Sequence, residues 1–220
     1  MSISSSKEFT EALKNAIQLA IEAKKPWKFV QSIELIVTFK DVDVKKQQEF
    51  RFRDTIVLPK GLDKESSICV VVDDASVQKA IEAGAYRAIG RSDLSKIDKK
   101  NAKKIAQECD WVLVRADLMG QAGRILGPAL GPRGKSPIAV PVNADVATYI
   151  RQYKNSVRLY SKEQPWVGCR IGSEKMPIES LVENAIAVLQ YIEEKVKRPL
   201  LQSSRIYVKT TSSPAIEVVP

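Results

Sequence analysis

Ile68-Cys69-Val70-Val71-Val72 is an unbroken apolar run, and the chain on either side of it is patterned differently. A strand with one wet face alternates polar and apolar residues, whereas a continuous β-branched run reads as a strand covered on both faces. Downstream, the spacing predicts a short helix over 75–83 closed by Gly84, and then a strand over 86–89. A lysine-studded helix over 93–108 and a second buried strand over 111–114 come next. Strand and helix in regular succession predict a parallel sheet with right-handed crossovers. A proline- and glycine-rich loop is expected over 123–137, followed by a short strand at 138–140 and a helix near 145–153.

Further outward the style changes. Over 32–39, Ile33, Leu35, Val37 and Phe39 share one face and Ser32, Glu34, Ile36 and Thr38 the other, and a second alternating strand runs over 51–58 into Pro59-Lys60-Gly61. Ahead of them, Ser5-Ser6-Lys7-Glu8 reads as a capping box with Ser5 at the cap. Phe9, Leu13, Ala16, Ile17, Ala20 and Ile21 then predict an amphipathic helix over 6–23. After residue 155, strands are expected over 157–160, 166–171 and 205–210, with Ala215 to Val219 pairing on the last, and Pro177 opens a helix. The fold class is therefore α+β with two domains. A discontinuous, half-exposed α+β domain built from 1–62 plus 154–220 is interrupted by an α/β domain with a parallel sheet over 63–153.

Composition removes whole classes of function. Of 220 residues none is histidine, which excludes Ser-His-Asp and Cys-His catalysis, His-ligated metals and imidazole acid–base chemistry. Cys69, Cys109 and Cys169 stand far apart, with no CxxC spacing for zinc, a cluster or a redox switch, and an odd count suits a reducing compartment. The first residues lack an apolar leader and no stretch reaches the ~20 apolar residues of a membrane span, so a soluble, intracellular chain is expected. Net charge is +9, of which the 63–153 stretch carries +3 (14 basic and 11 acidic residues) and the two ends carry +6. That excess suits a polyanion such as nucleic acid without singling out either part.

Few constellations carry chemistry. Ala129-x4-Gly134-Lys135-Ser136 is a relaxed match to the phosphate-binding P-loop, whose strict form has Gly at the first position. A P-loop aims backbone N–H groups at phosphate and links a strand to a helix. Pro132 removes one donor here, and Pro137-Ile138-Ala139-Val140-Pro141 is no helix. Nucleotide binding by Ala129 to Ser136 is the alternative function. The plain reading is a stiff turn-rich loop bearing Arg124, Arg133 and Lys135. Asp73-Asp74 at the end of a strand reads as helix capping before it reads as a metal site, and Asp41 and Asp43 flank a turn. Lys96, Lys99, Lys100, Lys103 and Lys104, with acids interspersed, read as a solvated helix face. The better-placed groups are Pro26-Trp27-Lys28-Phe29 before the first strand, Trp166, Gly168 and Arg170 on one strand face, and Arg205, Tyr207 and Lys209 on another. Outward aromatics and cations on a sheet suit RNA by stacking and phosphate contact, against the bland alternative of an ordinary solvated face. Phe29 reads either as a ring for a base or sugar, or as a core residue.

Leu126-Gly127-Pro128-Ala129-Leu130-Gly131-Pro132-Arg133-Gly134-Lys135-Ser136-Pro137 resembles the hallmark loop of the ribosomal protein L-one family, the large-subunit stalk proteins. Lys28-Phe29-Val30-Gln31-Ser32-Ile33-Glu34-Leu35, Val57-Leu58-Pro59-Lys60-Gly61 and Val208-Lys209-Thr210-Thr211-Ser212-Ser213-Pro214 agree in order and spacing, in the style of its archaeal and eukaryotic branch. The resemblance implies an α+β two-domain fold, a discontinuous half-exposed α/β-sandwich interrupted by a Rossmann-like three-layer α/β domain with a parallel sheet, and a non-catalytic, cytoplasmic ribosomal protein that is a monomer off the ribosome, with no membrane partner, cofactor or metal. It implies binding to stalk-region ribosomal RNA, assistance to exit-site tRNA release, and repression of translation of its own mRNA. The family's RNA contacts carry over to Lys28, Phe29, Ser32 and Glu34, and to Thr211, Ser212 and Ser213, where Ser212 and Ser213 stand in place of the family's Met and Gly. Archaeal-type members match at Ser161-Lys162 and Arg170, which makes Lys162 and Arg170 phosphate contacts. Arg124, Arg133 and Lys135 are the secondary RNA or tRNA contacts, in a loop that binds no nucleotide in that family.

Overall fold

A computed structural model describes residues 7–161 and 163–219. In chain order it contains α1 (Lys7–Glu22), β1 (Ser32–Phe39) and β2 (Arg53–Val57). Then follow β3 (Ile68–Val71), α2 (Val77–Glu82), β4 (Arg87–Ile89), α3 (Arg91–Leu94), α4 (Lys99–Glu108), β5 (Trp111–Arg115), α5 (Met119–Leu130), β6 (Ile138–Val140) and α6 (Val146–Lys154). The chain ends on β7 (Ser156–Tyr160), β8 (Trp166–Ser173), α7 (Ile178–Val196), α8 (Leu200–Ser203), β9 (Ser204–Thr210) and β10 (Ile216–Glu217). It divides into two compact units, one of 1–63 with 156–220 and one of 64–155. The expected cap residue Ser5 lies outside the described residues.

The two-part unit is an antiparallel sheet in the order β10-β9-β1-β8, beside a separate β2-β7 ladder. Every second residue of β1 is buried, as alternation requires: Ile33, Leu35, Val37 and Phe39 point into a core shared with Phe9, Leu13 and Ile17 of α1 and Leu181, Ala185 and Leu189 of α7. Asn184, fully buried on α7, accepts from the Lys60 N–H at 2.9 Å and donates to the Gly61 and Ile171 carbonyls at 3.0 and 2.8 Å. That bonding fixes the Pro59-Lys60-Gly61 turn, where Gly61 has φ of +62°, a conformation costly for other residues.

The other unit is a parallel sheet in the order β4-β3-β5-β6. Its opening strand is buried at every residue because the two faces have separate cores. Cys69, Val71, Val112 and Val114 pack toward α4 and α5, among Ile105, Ala122 and Leu126. Ile68, Val70 and Leu113 pack on the opposite side with Ala80 of α2 and Ile150 of α6. The three-layer expectation stands.

Three local expectations fail. The single helix over 93–108 is two helices, because Asp98 accepts the Asn101 N–H at 2.8 Å and so caps a fresh start at Lys99. The expected loop over 123–137 is helical as far as Leu130. Ala122, Leu126, Ala129 and Leu130 form a buried stripe there, and its packing outweighs glycine propensity. Gly127 precedes Pro128 and, lacking a Cβ, removes most of the clash that keeps a pre-proline residue out of the helical region. Lastly, Cys69 and Cys109 are joined in a disulfide. The parallel crossover returns the chain beside its starting strand, with Cys69 paired to Val112 in register, so cysteines 40 residues apart come within bonding range.

Candidate nucleic-acid interface

The connection from α1 to β1 carries its aromatic residues outward. Trp27 is 59% and Phe29 52% exposed, and their rings stack with centroids 6.4 Å apart and 26° between planes. Lys28 between them is exposed as well. A half-open ring is not a core phenylalanine, which removes the core reading of Phe29. Stacked rings beside a cation form a surface that accepts a base or sugar face.

Immediately along β1, the outward residues stand between cations. Glu34 is paired with Arg170 of β8 on one side and with Lys209 of β9 on the other, the Lys209 ammonium lying 3.8 Å from its carboxylate. Ser32 donates its N–H to the Thr211 hydroxyl oxygen at 3.2 Å and accepts the Thr211 N–H at 3.2 Å. Thr211 is exposed and can still donate its hydroxyl hydrogen.

The neighbouring serines are engaged inward. Ser213 is buried, accepts the Thr210 N–H at 2.9 Å and donates to the Pro214 carbonyl at 2.8 Å. Ser212 donates its hydroxyl to Oε1 of Gln31 at 2.7 Å and accepts the Lys25 N–H at 3.0 Å. Glu174 completes the group by accepting from the Lys24 ammonium and, at 3.0 Å, from the Gln31 N–H. Hydrogen bonding to Lys24, then to the Gln31 backbone, holds the Glu174 carboxyl below the usual carboxylate range. Together these groups offer stacking, cations for phosphate, a carboxylate acceptor and a hydroxyl donor.

The Ribosomal protein L1p/L10e family model matches residues 12–214. The chain is 51% identical over 209 residues to the large ribosomal subunit protein uL1 of Staphylothermus marinus, covering 95% of this chain and 97% of the relative. It is 46% identical to the Aeropyrum pernix protein of that name, over 94% of each chain, and 35% identical to the Methanobrevibacter smithii one, over 96% and 100%. The chain belongs to the Ribosomal protein L1p/L10e family. Membership makes it a structural protein and not an enzyme.

Lys28, Phe29, Ser32, Glu34, Arg170, Thr211, Ser212 and Ser213 all belong to the two-part unit; Ser32, Glu34 and Arg170 lie on β1 and β8, Lys28 and Phe29 just before β1, and Thr211, Ser212 and Ser213 just after β9. Lys162 lies outside the described residues. Arg124, Arg133 and Lys135 belong to the other unit. Arg124 is exposed on α5, and Arg133 donates to the Ala129 carbonyl at 3.1 Å. Lys135 reaches the end of α4, donating to the Ala106 and Cys109 carbonyls at 3.0 and 2.7 Å.

The P-loop alternative fails on geometry. Residues 129–136 leave the C-terminal end of α5 and enter β6, the reverse of a strand-to-helix phosphate loop. The Gly134 and Lys135 N–H groups donate back to the Gly131 and Leu130 carbonyls at 2.9 and 3.2 Å. At the ends of β3 and β5, Asp73 pairs with Arg115, while Asp74 accepts the Ser92 N–H at 3.1 Å and so caps α3. Among the described residues no cluster of three or more acids or cysteines is disposed to hold a metal, and no helix is long and apolar enough to cross a membrane. Gln31 and Glu174 were not singled out from sequence. The signal for Gln31 was available, because it occupies the same phase as buried Ile33, Leu35 and Val37. A polar side chain in an inward phase has to find internal partners.

Proposed function

We propose that this chain is a large-subunit protein of the cytoplasmic ribosome that grips stalk-region ribosomal RNA through the end of β1 in its two-part unit. The observation that carries the reading is the exposed Trp27–Phe29 pair beside Lys28, next to Glu34 and its cross-strand cations. Exposed stacked aromatics are costly in water, and a looped RNA with splayed bases covers them. Lys28, Lys162 and Arg170 take phosphates. Glu34 accepts from a 2′-OH or a base amino group, and Ser32 and Thr211 line the ribose side. The domain of 1–62 with 154–220 carries the affinity, and the inserted 63–153 offers Arg124 and Arg133 as secondary contacts to RNA or to exit-site tRNA. Release of that tRNA would use these secondary contacts, whereas repression of the chain's own mRNA follows from the main grip, since an mRNA that folds like the stalk site competes for it.

The test is a filter-binding titration of the full chain against stalk-region RNA and a scrambled control of equal length. Tight binding to the first and weak binding to the second supports the reading, and equal affinity refutes it. Residues 1–62 joined to 154–220 by a short linker are expected to fold and to keep most of the affinity. A folded two-part protein that binds no stalk RNA would move the site to the other unit.

A further inference from the structure

The exposed segment that bears Trp27, Lys28 and Phe29 is closed at its base by one side chain. Gln31 is 1% exposed, and its Nε2 donates to the Lys25 carbonyl at 2.7 Å. Its Oε1 accepts from both the N–H and the hydroxyl of Ser212, at 3.1 and 2.7 Å. Ser212 in turn accepts the Lys25 N–H at 3.0 Å, so residues 25, 31 and 212 form a closed hydrogen-bonded ring. The amide orientation is fixed by its partners, since the Ser212 N–H can only donate and the Lys25 carbonyl can only accept. The backbone of Gln31 is bonded at both ends to Glu174, donating to its carboxylate and accepting its N–H, each at 3.0 Å. Three chain segments, around residues 25–31, 174 and 212, therefore meet at the buried Gln31.

We infer that Gln31 is a positioning residue for the RNA grip, and that Ser212 is its internal partner rather than a contact to ribose. The inference rests on the RNA reading above. A loop held only at its ends by helix and strand would present two large rings in many arrangements, and RNA binding would carry the cost of ordering them. The ring of hydrogen bonds at its base bears that cost at folding, so the Trp27–Phe29 stack is ready before RNA arrives.

The test uses the full chain with Gln31→Leu, Ser212→Ala and the double variant, all in a Trp166→Phe background. Trp111 is buried, so Trp27 is then the exposed fluorophore. Without RNA, both single variants are expected to show a red-shifted Trp27 emission that acrylamide quenches more readily. Stalk-RNA affinity per folded molecule is expected to fall about tenfold in each, the scale of one or two lost internal hydrogen bonds. The double variant is expected to lose little more than the worse single, because both open the same ring. A purely structural role would lower the melting temperature and leave affinity per folded molecule and Trp27 emission unchanged, which overturns the inference. Should Gln31→Leu not fold, Ser212→Ala decides, since Ser212 is only half-buried. Undiminished preference for stalk RNA in Ser212→Ala overturns the inference alone. A parent protein that binds scrambled RNA equally well overturns the RNA reading and this inference with it.

Discussion

Opening the Cys69–Cys109 disulfide is expected to cost the inserted unit about 4 kcal/mol of stability. The bond spans a sequence separation of 40 residues. Chain-entropy arithmetic for a loop of that length gives about 13 cal/mol/K, or about 4 kcal/mol at 25 °C. The folded state should change little on reduction, because both sulfurs are fully buried among Val71, Ala106 and Val112, where a thiol packs as a small apolar group. Lys135 also continues to hold the Cys109 and Ala106 carbonyls. For a domain of roughly 60–100 residues, 1 kcal/mol moves the midpoint by about 4–8 °C, so the unit's transition should fall by about 15–30 °C. The assay is thermal unfolding by circular dichroism with and without reductant, beside Cys69→Ala/Cys109→Ala. Alkylation in denaturant counts the thiols: Cys169 alone with the bond intact, all three cysteines after reduction. Cys169 does not confuse the native protein, since burial pushes its thiol up to about 12 and keeps it protonated. Full reduction by thiol count with a midpoint within about 3 °C of the oxidised protein would refute the entropic argument. Three alkylatable thiols before any reductant is added would refute the bond itself.

Phe29→Ala should weaken stalk-RNA binding by about 1–3 kcal/mol, the value of one stacked base. Its melting temperature should barely move, because the ring is half in solvent; a large melting loss with affinity per folded molecule kept would return Phe29 to the core. Replacing Lys28 or Arg170 by Gln should lower the slope of log affinity against log salt by about 0.7–0.9 each, whereas Thr211→Val should lose affinity at constant slope. A DNA copy of the site should bind far worse, and equal binding of DNA and RNA with a slope of about six or more would make the protein a general polyanion binder. Because the Glu174 carboxyl titrates below its unfolded value of 4.5, its stabilisation is present above that value and is lost as pH falls through the folded one. Trp27 emission should therefore change in that acid window in the parent chain and stay flat in Glu174→Gln; identical profiles would show that the Lys24–Glu174 pair does not hold the segment.

What could be read from the sequence is what a period of two or an unbroken run encodes. Ile33, Leu35, Val37 and Phe39 are buried as their alternation requires, and the Ile68 to Val72 run lies between two cores. Propensity misled where packing overrode it. Gly123, Gly127, Pro128 and Gly131 spell a loop by local chemistry, yet a helix as far as Leu130 buries Leu126 and Leu130 against the parallel sheet. The break at Asp98 depends on one carboxylate turning back to its own backbone, a choice the lysine pattern around it does not record. The disulfide was hidden for a topological reason. Neighbours in a parallel sheet are separated by a whole crossover, so spacing along the chain says little about which cysteines meet.

At the proposed RNA site the sequence named the segments that the fold brings together but could not say which side chains face outward. A serine at 212 or 213 looks equally suited to a ribose hydroxyl or to its own backbone. The structure assigns both inward, Ser213 to the Thr210 turn and Ser212 to Gln31. That division changes what recognition can depend on. With those two hydroxyls committed, the outward chemistry reduces to the stacked rings of Trp27 and Phe29, the cations Lys28, Arg170 and Lys209, the Glu34 carboxylate, and the Thr211 hydroxyl. Charge alone cannot make such a set specific, because Glu34 offsets part of the positive charge beside it. Specificity then falls to geometry: a base or sugar has to reach a fixed ring pair while its phosphate meets Lys28 and its hydroxyl meets Thr211. A fixed ring pair needs a fixed loop, so the polar residues buried beneath it matter to recognition although no RNA atom would touch them.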